Sequence, residues 1–544
     1  MLEKMYGCTL ISKLRAILLM EADFNFTNKM IYGVRMMNNV RKYGFMPEEI
    51  YSEKGKTADD GSLAKVLFYD IVRESRLAAG LGSIDAANCY DSIAHAIASL
   101  VFQAFGVPEE AIESMLTAIE DMKYFLRTAY GDSSDFAGSS IEVKFQGLCQ
   151  GNGAAPAGWA VISITILHAH KGKGHGGHFV CPISHQKGHL AAILFVDDTD
   201  ILHIDMEQDE TASEAHAALQ DSIDNWGQLL IATGGAFKPI KCFYHLLSFW
   251  WLPDGRWEYE ANEDKEAFDL GVPMPDGSFV PIDHLSVDTG KETLGFFSCP
   301  SGKSCWQLDS MRDKAQKWLD RAKEGKLRRR DVWFLLDNQL WPKVGYGLCS
   351  VSAPWQELEH CLAQKWWQLV PLGGLIRSAP KEIRDTSRGF YGAGCPHVGV
   401  ECFVAQISKL LMHYGCRSNN GLKMKISLEF IIVELGISDQ PFLESYAKYG
   451  KWVTASWLKS IWEKADKFSV RVEFQDVPIE LPREGDQWLM RLFVAAGYPP
   501  AQLARLNRVR CHQQVVFLSE VLGATGRDLD SRYLKRRQPG EQWS

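Results

Sequence analysis

The sequence predicts an α+β protein in which the first 300 residues mix strands with helices and the remainder is mostly helical. Short apolar runs bounded by glycines and carboxylates, such as Leu190–Val196, punctuate the first part, and they have the length of strands. After Gly302 the apolar residues fall at helical spacing over long stretches. The charge changes at the same place. Of the 59 Lys and Arg, 23 lie in residues 1–300, as do 41 of the 67 Asp and Glu. The balance is therefore −18 before residue 300 and +10 after it.

A chain of 544 residues is long enough for two or three domains with real cores. With 46% hydrophobic and 23% charged residues, overall disorder is excluded. The net charge of −8, taken alone, argues against a polyanion-binding protein; the split suggests instead an acidic part holding carboxylates for metal and a basic part gripping something anionic. The 13 cysteines are an odd number, and spacings such as Cys395, Cys402 and Cys416 match no disulfide or zinc framework. Reduced thiols inside the cell, in cytosol or nucleus, are the expectation. No run of 18 uncharged apolar residues occurs, so no membrane span is expected, and the first eight residues lack a signal-peptide core.

In chain order, Ala16–Met20 is an apolar, strand-like run. Residues 61–79 carry Leu63, Val66, Leu67, Ile71 and Val72 at helical spacing. A short strand to Asp85 follows, then helices over about 92–105 and from Pro108. Glu109 and Glu110 at the start of the second suit the helix dipole. Residues 146–156 are Gly-rich and 157–167 form a small-residue helix. His168 to His189 reads as a hairpin or loop rich in His and Gly, with no zinc-type spacing. A strand over 190–196 turns tightly into another at 202–204. Residues 211–230 are an amphipathic helix, 254–290 a polar insertion and 293–297 a short strand. Helices over 308–325 and 328–340 interleave aromatic and basic residues, among them Trp318, Arg321, Arg328, Arg329, Arg330 and Trp333, with basic residues in excess. Another helical region spans about 355–367, and a small helical module follows Pro482.

The chemistry-bearing positions are strand ends. Asp85 closes one strand, and Asp197-Asp198 close the apolar run Ala191–Val196. Ending a buried strand in two carboxylates is costly without a ligand. If the two strands are neighbours, Asp85 meets Asp197. Carboxylates held that close repel unless protonated or bridged by a divalent cation, and oxygen-only ligands suit Mg²⁺.

Five motifs then follow one another over about 210 residues. They are Ser83-Ile84-Asp85-Ala86-Ala87-Asn88-Cys89-Tyr90-Asp91, Gln150-Gly151-Asn152-Gly153-Ala154-Ala155-Pro156, Phe195-Val196-Asp197-Asp198, Gly234-Gly235-Ala236-Phe237-Lys238-Pro239-Ile240-Lys241 and Leu294-Gly295. In this order they resemble a reverse transcriptase, closest to the non-LTR (LINE-type) retrotransposon enzymes. Upstream, Lys13-Leu14-Arg15-Ala16-Ile17 resembles the fingers motif, and the likeness extends loosely to about residue 435.

The resemblance implies a right-hand polymerase: fingers and palm over 1–300 with an antiparallel sheet plus helices, a helical thumb over 301–375, and a mostly helical C-terminal extension over 376–544. It implies an RNA-directed DNA polymerase that extends a DNA primer on an RNA template with dNTPs, using two Mg²⁺ ions with Mn²⁺ as a substitute. Asp85, Asp197 and Asp198 would be catalytic and bind the metals. Arg15, Tyr90, Gln150, Gly151 and Lys241 would bind the nucleotide, Tyr90 as the steric gate against a ribose 2′-hydroxyl, Lys241 at the pyrophosphate and Arg15 through its planar fork. Ala155 stands where the family often has Ser, and Phe195 where Tyr is more familiar. No endonuclease, zinc-cluster or RNase H region is recognisable, so a fragment, a product of a degraded element, or a polymerase working with a separate nuclease is expected. The competing expectation is a domesticated relic that binds RNA or DNA without polymerising.

Overall fold

The structure, a computed structural model, describes residues 17–530 except 88, 129–130, 139–144, 253–255, 263–267, 417, 476, 478, 480 and 514, together with two short strands, Leu2–Glu3 and Leu14–Arg15. It is a mixed α+β chain with a central seven-stranded sheet and many helices. Helical turns over residues 22–42 come first. Helix α1 (Ala58–Ser75) begins at Thr57, whose N and Oγ1 both donate to Asp60 Oδ2, at 2.8 and 2.9 Å, a reciprocal cap of the kind that satisfies free helix-end donors.

Strand β1 (Ala79–Asp85) follows α1. Helix α2 (Ala155–Gly172) leads to β2 (Gly177–Val180), β3 (Lys187–Leu190), β4 (Ala192–Phe195) and β5 (Asp198–Asp205). Helix α3 (Ala212–Ala232) then leads to β6 (Phe243–Leu247). The sheet runs from the short strand Asp283–His284 through β6, β1 and β5 to β2 and β3, with β4 also paired to β5. Strand β1 is antiparallel to both β6 and β5. Its glycines let α3 approach: a Cβ on Gly80 would lie 2.7 Å from Leu219 Cδ2, closer than van der Waals contact allows.

Beyond residue 300 the chain is helical. Its helices include α4 (Cys305–Glu324), α5 (Arg329–Leu335), α6 (Asn419–Leu435) and α7 (Trp457–Lys467). A core of its own joins Leu308, Met311, Leu336, Leu358 and Trp366. Helices α6 and α7 instead share a core with Leu63 and Leu67 of α1. Asp70 of α1 accepts from Trp457 N at 2.7 Å, Glu74 accepts from Ser427 Oγ at 2.8 Å, and Lys423 donates to Ala64 O at 2.9 Å. Arg73 bonds Asp70 and the Pro300 carbonyl. These pairings explain how α1 buries charge on nearly every side, since buried charges need partners.

Three local expectations are corrected. Within the apolar run 16–20, residues 17–20 are irregular rather than strand, and Leu18 N is taken by Gln150 O at 2.8 Å; residue 16 lies outside the described residues. The stretch 190–196 is two strands broken at Ala191, because β3 pairs with β2 while β4 pairs with β5. Residues 293–297 form a hairpin turn between Lys291–Thr293 and Phe296–Ser298, with Leu294 at φ 54° and Gly295 at φ 77°. Two successive positive φ values are the signature of a tight twisted hairpin. No helix among the described residues is long and apolar enough to cross a membrane, and no described cysteine is in a disulfide.

Candidate active site

The antiparallel ladder of β1 and β5 runs from Ala79 opposite Ile204 to Asp85 opposite Asp198. Phe195 of β4 also faces Asp198, so Val196 and Asp197 are the two residues of a tight hairpin. The register thus sets Asp198, and not Asp197, across from Asp85; Asp197 sits in the turn. Val196 adopts φ 59°, a costly conformation for a β-branched residue. Trp159 of α2 fastens it by donating Nε1 to Val196 O at 2.6 Å. Strain held by its surroundings at a strand end is common at functional sites.

The carboxylates crowd one another. Asp198 is exposed at the strand end, yet desolvation by the protein around it, then the charges of Asp197, Asp200 and Asp85, push it up to about 6, with Lys241 opposing. Burial first, and the Asp197 charge among further causes, push the Cys89 thiol and the Tyr90 phenol each up to about 12. Lys241, on the short turn Pro239–Lys241, donates Nζ to Asp85 Oδ2 at 2.6 Å, and that bond raises the ammonium pKa.

Gln150 and Gly151 lie on the loop before α2. Gln150 N donates to Asp91 Oδ1 at 3.1 Å, while Gln150 O accepts from Leu18. Gly151 has φ 116°, and a Cβ there would lie 2.2 Å from Leu18 O, so only glycine fits. The next residue, Asn152, is buried, and its Oδ1 accepts from Asn28 Nδ2 and Ala154 N, each at 3.0 Å. Tyr90 is half-buried and meets Trp159 edge-on, with ring centres 6.5 Å apart. Beside it opens a cavity of about 800 Å³ lined by Tyr90, Trp159, Val196, Gly153, Lys29 and Arg41, among others.

The structure therefore gathers Asp85, Asp197, Asp198 and Lys241 at one end of the sheet, and Tyr90, Gln150 and Gly151 beside the loop that Asp91 holds. Arg15 lies on the strand Leu14–Arg15, opposite Leu2; its side chain, and Lys13, lie outside the described residues. The donor chemistry at the strand ends, oxygen only and crowded with like charge, fits a hard divalent cation. Among the described residues, no group of three or more His, Cys, Asp or Glu side chains converges closely enough to hold a metal; Asp85 is held by Lys241 instead. The same holds for the His-rich stretch, where His170 bonds Asn225 and Ser222, and His178 packs on His189.

Three further residues support the site without a signal in the sequence pattern. Trp159 and Asp91 each bond a backbone group, Val196 O and Gln150 N. Asp200, two residues past Asp198 on the same strand face, pairs with Lys65 from a distant helix.

No protein-family model matches the chain, and no curated protein matches it. Among solved structures, telomerase from Candida albicans in complex with the TWJ fragment of telomeric RNA is similar, with a TM-score of 0.31 and 11% identity over 78% of this chain and 56% of that one. Telomerase from Candida tropicalis, also in complex with the TWJ fragment of telomeric RNA, has a TM-score of 0.28 and 10% identity over 75% of this chain and 61% of that one. The chain spans less than two thirds of either telomerase.

Proposed function

We propose that the chain is a reverse transcriptase, an RNA-directed DNA polymerase of non-LTR retrotransposon descent, with fingers and palm over 1–300, a thumb over 301–375 and a helical extension over 376–544. The observation that carries the reading is the meeting of Asp85 and Asp198 across an antiparallel ladder, with Asp197 in the adjoining strained turn. Asp85, Asp197 and Asp198 would hold two Mg²⁺ ions once Asp85 exchanges Lys241 for a cation. Bound there, divalent ions supply activation of a primer 3′-hydroxyl and charge stabilisation of the pyrophosphate leaving group. The chain's own residues orient the substrates. Tyr90 packs beneath the deoxyribose, the Gln150-Gly151 backbone lines the nucleotide pocket, and Arg15 and Lys241 meet the triphosphate. RNA template, DNA primer and dNTPs are the substrates, with a separate nuclease as a partner and the nucleus or cytoplasm as the setting.

Primer extension on poly(rA)/oligo(dT) with Mg²⁺ or Mn²⁺ tests it: incorporation that vanishes in Asp197→Ala is expected. One observation favours the second reading, a relic that binds without polymerising: the Lys241 ammonium already neutralises Asp85. Template binding with no incorporation at any Mn²⁺ concentration would establish that relic.

A further inference from the structure

The most exposed aromatic pair among the described residues lies at the short turn Arg388–Phe390, in the helical part of the chain. Phe390 is 80% exposed and Tyr391 98% exposed. Single exposed apolar residues are ordinary, but these two sit on a loop that is rigidly built. Within residues 383–395, Phe390 N donates to Ser387 O, Gly392 N to Ser387 O, Ala393 N to Ile383 O, Gly394 N to Thr386 O and Cys395 N to Arg384 O. Gly392 is packed so tightly that a Cβ would lie 2.0 Å from Thr386 O. Tyr391 itself is held at φ 63°, a conformation that costs free energy in a residue with a side chain. The fold thus spends backbone strain to hold two bare rings in water.

The loop is anchored to a basic surface. Arg388 makes a forked pair with Asp337, at 2.5 and 3.2 Å, and its guanidinium lies over the Trp333 ring. The other side of Trp333 is closed by the turn at Gly373, whose carbonyl accepts from the indole at 3.0 Å. The neighbouring Gly374 lies against the Arg329 stem. Nearby acids are largely consumed: Asp337 by Arg388, Asp331 by Arg328, and Asp385 by Arg384. Glu382 is exposed. Arg329 and Arg377 are exposed and have no ion-pair partner among the described residues. Phe334, 64% exposed, stands one helical turn from Arg330, on the same face of α5.

We propose that the 386–394 loop is a base-stacking platform for nucleic acid, in which Phe390 and Tyr391 take the flat face of a nucleobase while Arg329, Arg330 and Arg377 meet the strand's phosphates. Exposed guanidinium groups, of which Arg330 also pairs with Asp331 at 3.5 Å, on the same helical part of the chain as bare rings match a ligand that is polyanionic and aromatic at once. The platform lies outside the residues assigned to polymerisation and does not depend on that activity.

The test is fluorescence anisotropy with the full chain, without dNTPs, on labelled oligo(dT) and on a labelled blunt-ended hairpin. Replacing both rings, Phe390→Ala with Tyr391→Ala, should weaken binding about tenfold or more, in line with stacking energies measured by alanine substitution. The Phe390→Trp, Tyr391→Phe variant should keep it. Because glycine suits φ 63°, Tyr391→Gly should bind more weakly without losing thermal stability. Loss on oligo(dT) alone assigns a single strand; loss on the hairpin alone assigns a duplex end. Unchanged affinity on both probes overturns the proposal. So does a dimer that the double-Ala variant abolishes while oligonucleotide affinity stays the same, because the rings would then serve contact between copies.

Discussion

Lys65, inside α1, donates Nζ to Asp200 Oδ1 at 2.9 Å, with only 3% and 11% of the two side chains exposed. Asp200 lies two residues past Asp198 on β5, and Lys65 also reaches Thr293 Oγ1 beside the Leu294-Gly295 turn. One buried ammonium therefore ties α1 to the carboxylate strand and to the following hairpin. Removing one partner of a buried pair strands the other charge, at about 3–5 kcal/mol. Lys65→Met should lose about that much stability in urea unfolding, and adding Asp200→Asn should recover a good part of it. Additive losses in the double variant would mean that the two groups are not coupled.

Stability should also fall with acid through His170. Its ring is fully buried between Asn225 and Ser222, and burial lowers its pKa from 6.5 to about 4. The unfolded chain then binds the proton more readily than the folded one. Its contribution is present above pH 6.5 and is lost as pH falls towards 4, on the order of 3 kcal/mol. His245, lowered by burial to about 3, acts in the same direction. His170→Gln should flatten the decline between pH 6.5 and 4.5 in denaturant titrations; a slope equal to that of the unmodified chain would refute the assignment.

At Gly151 a methyl group meets both obstacles at once, the 2.2 Å approach of Leu18 O and φ 116°. Gly151→Ala should cost about 1–3 kcal/mol of local strain and break the Leu18–Gln150 backbone bond. In primer extension the change should appear as a raised KM for dNTP more than a lowered kcat. An unaltered KM would separate the loop from nucleotide binding.

Tyr90 gives a sharper discrimination. If its ring limits the sugar pocket, Tyr90→Ala should raise ribonucleotide incorporation relative to deoxynucleotide by on the order of tenfold. If the ring only packs on Trp159, discrimination should stay fixed while stability falls by about 1 kcal/mol.

What was readable in the sequence was what local pattern encodes. Asp85 and Asp197-Asp198 stood out because apolar strands end on them, and both strands are present. Asp198 rather than Asp197 faces Asp85 because register is set across the sheet, where a shift of one residue exchanges faces. The Leu294-Gly295 turn was read as strand, since nothing in a leucine announces φ 54°. The apolar stripe of α1 was legible, but beyond the local Asp70–Arg73 pair its buried Lys65, Asp70, Arg73 and Glu74 find partners 135 to 387 positions away, Arg73 at Pro300 among them. Single-sequence periodicity carries no such information.

The Lys241–Asp85 pair decides how the carboxylates meet a cation. Nζ lies 2.6 Å from Oδ2, with the lysine side chain about half exposed and Asp85 mostly covered. A divalent ion must compete with this ammonium for the same oxygen. Exposed pairs of this kind are worth about 0.2–1 kcal/mol, which corresponds to a competition of about one- to fivefold. Lys241→Gln should therefore bind Mg²⁺ more tightly than the unmodified chain in calorimetric titration without nucleotide, by no more than about fivefold. If Lys241 also meets the pyrophosphate, the same variant should incorporate dNTPs more slowly despite its tighter metal. Tighter Mg²⁺ binding with faster incorporation would instead make Lys241 a brake on the carboxylates. Unchanged Mg²⁺ affinity would mean that Asp85 Oδ2 is not a ligand.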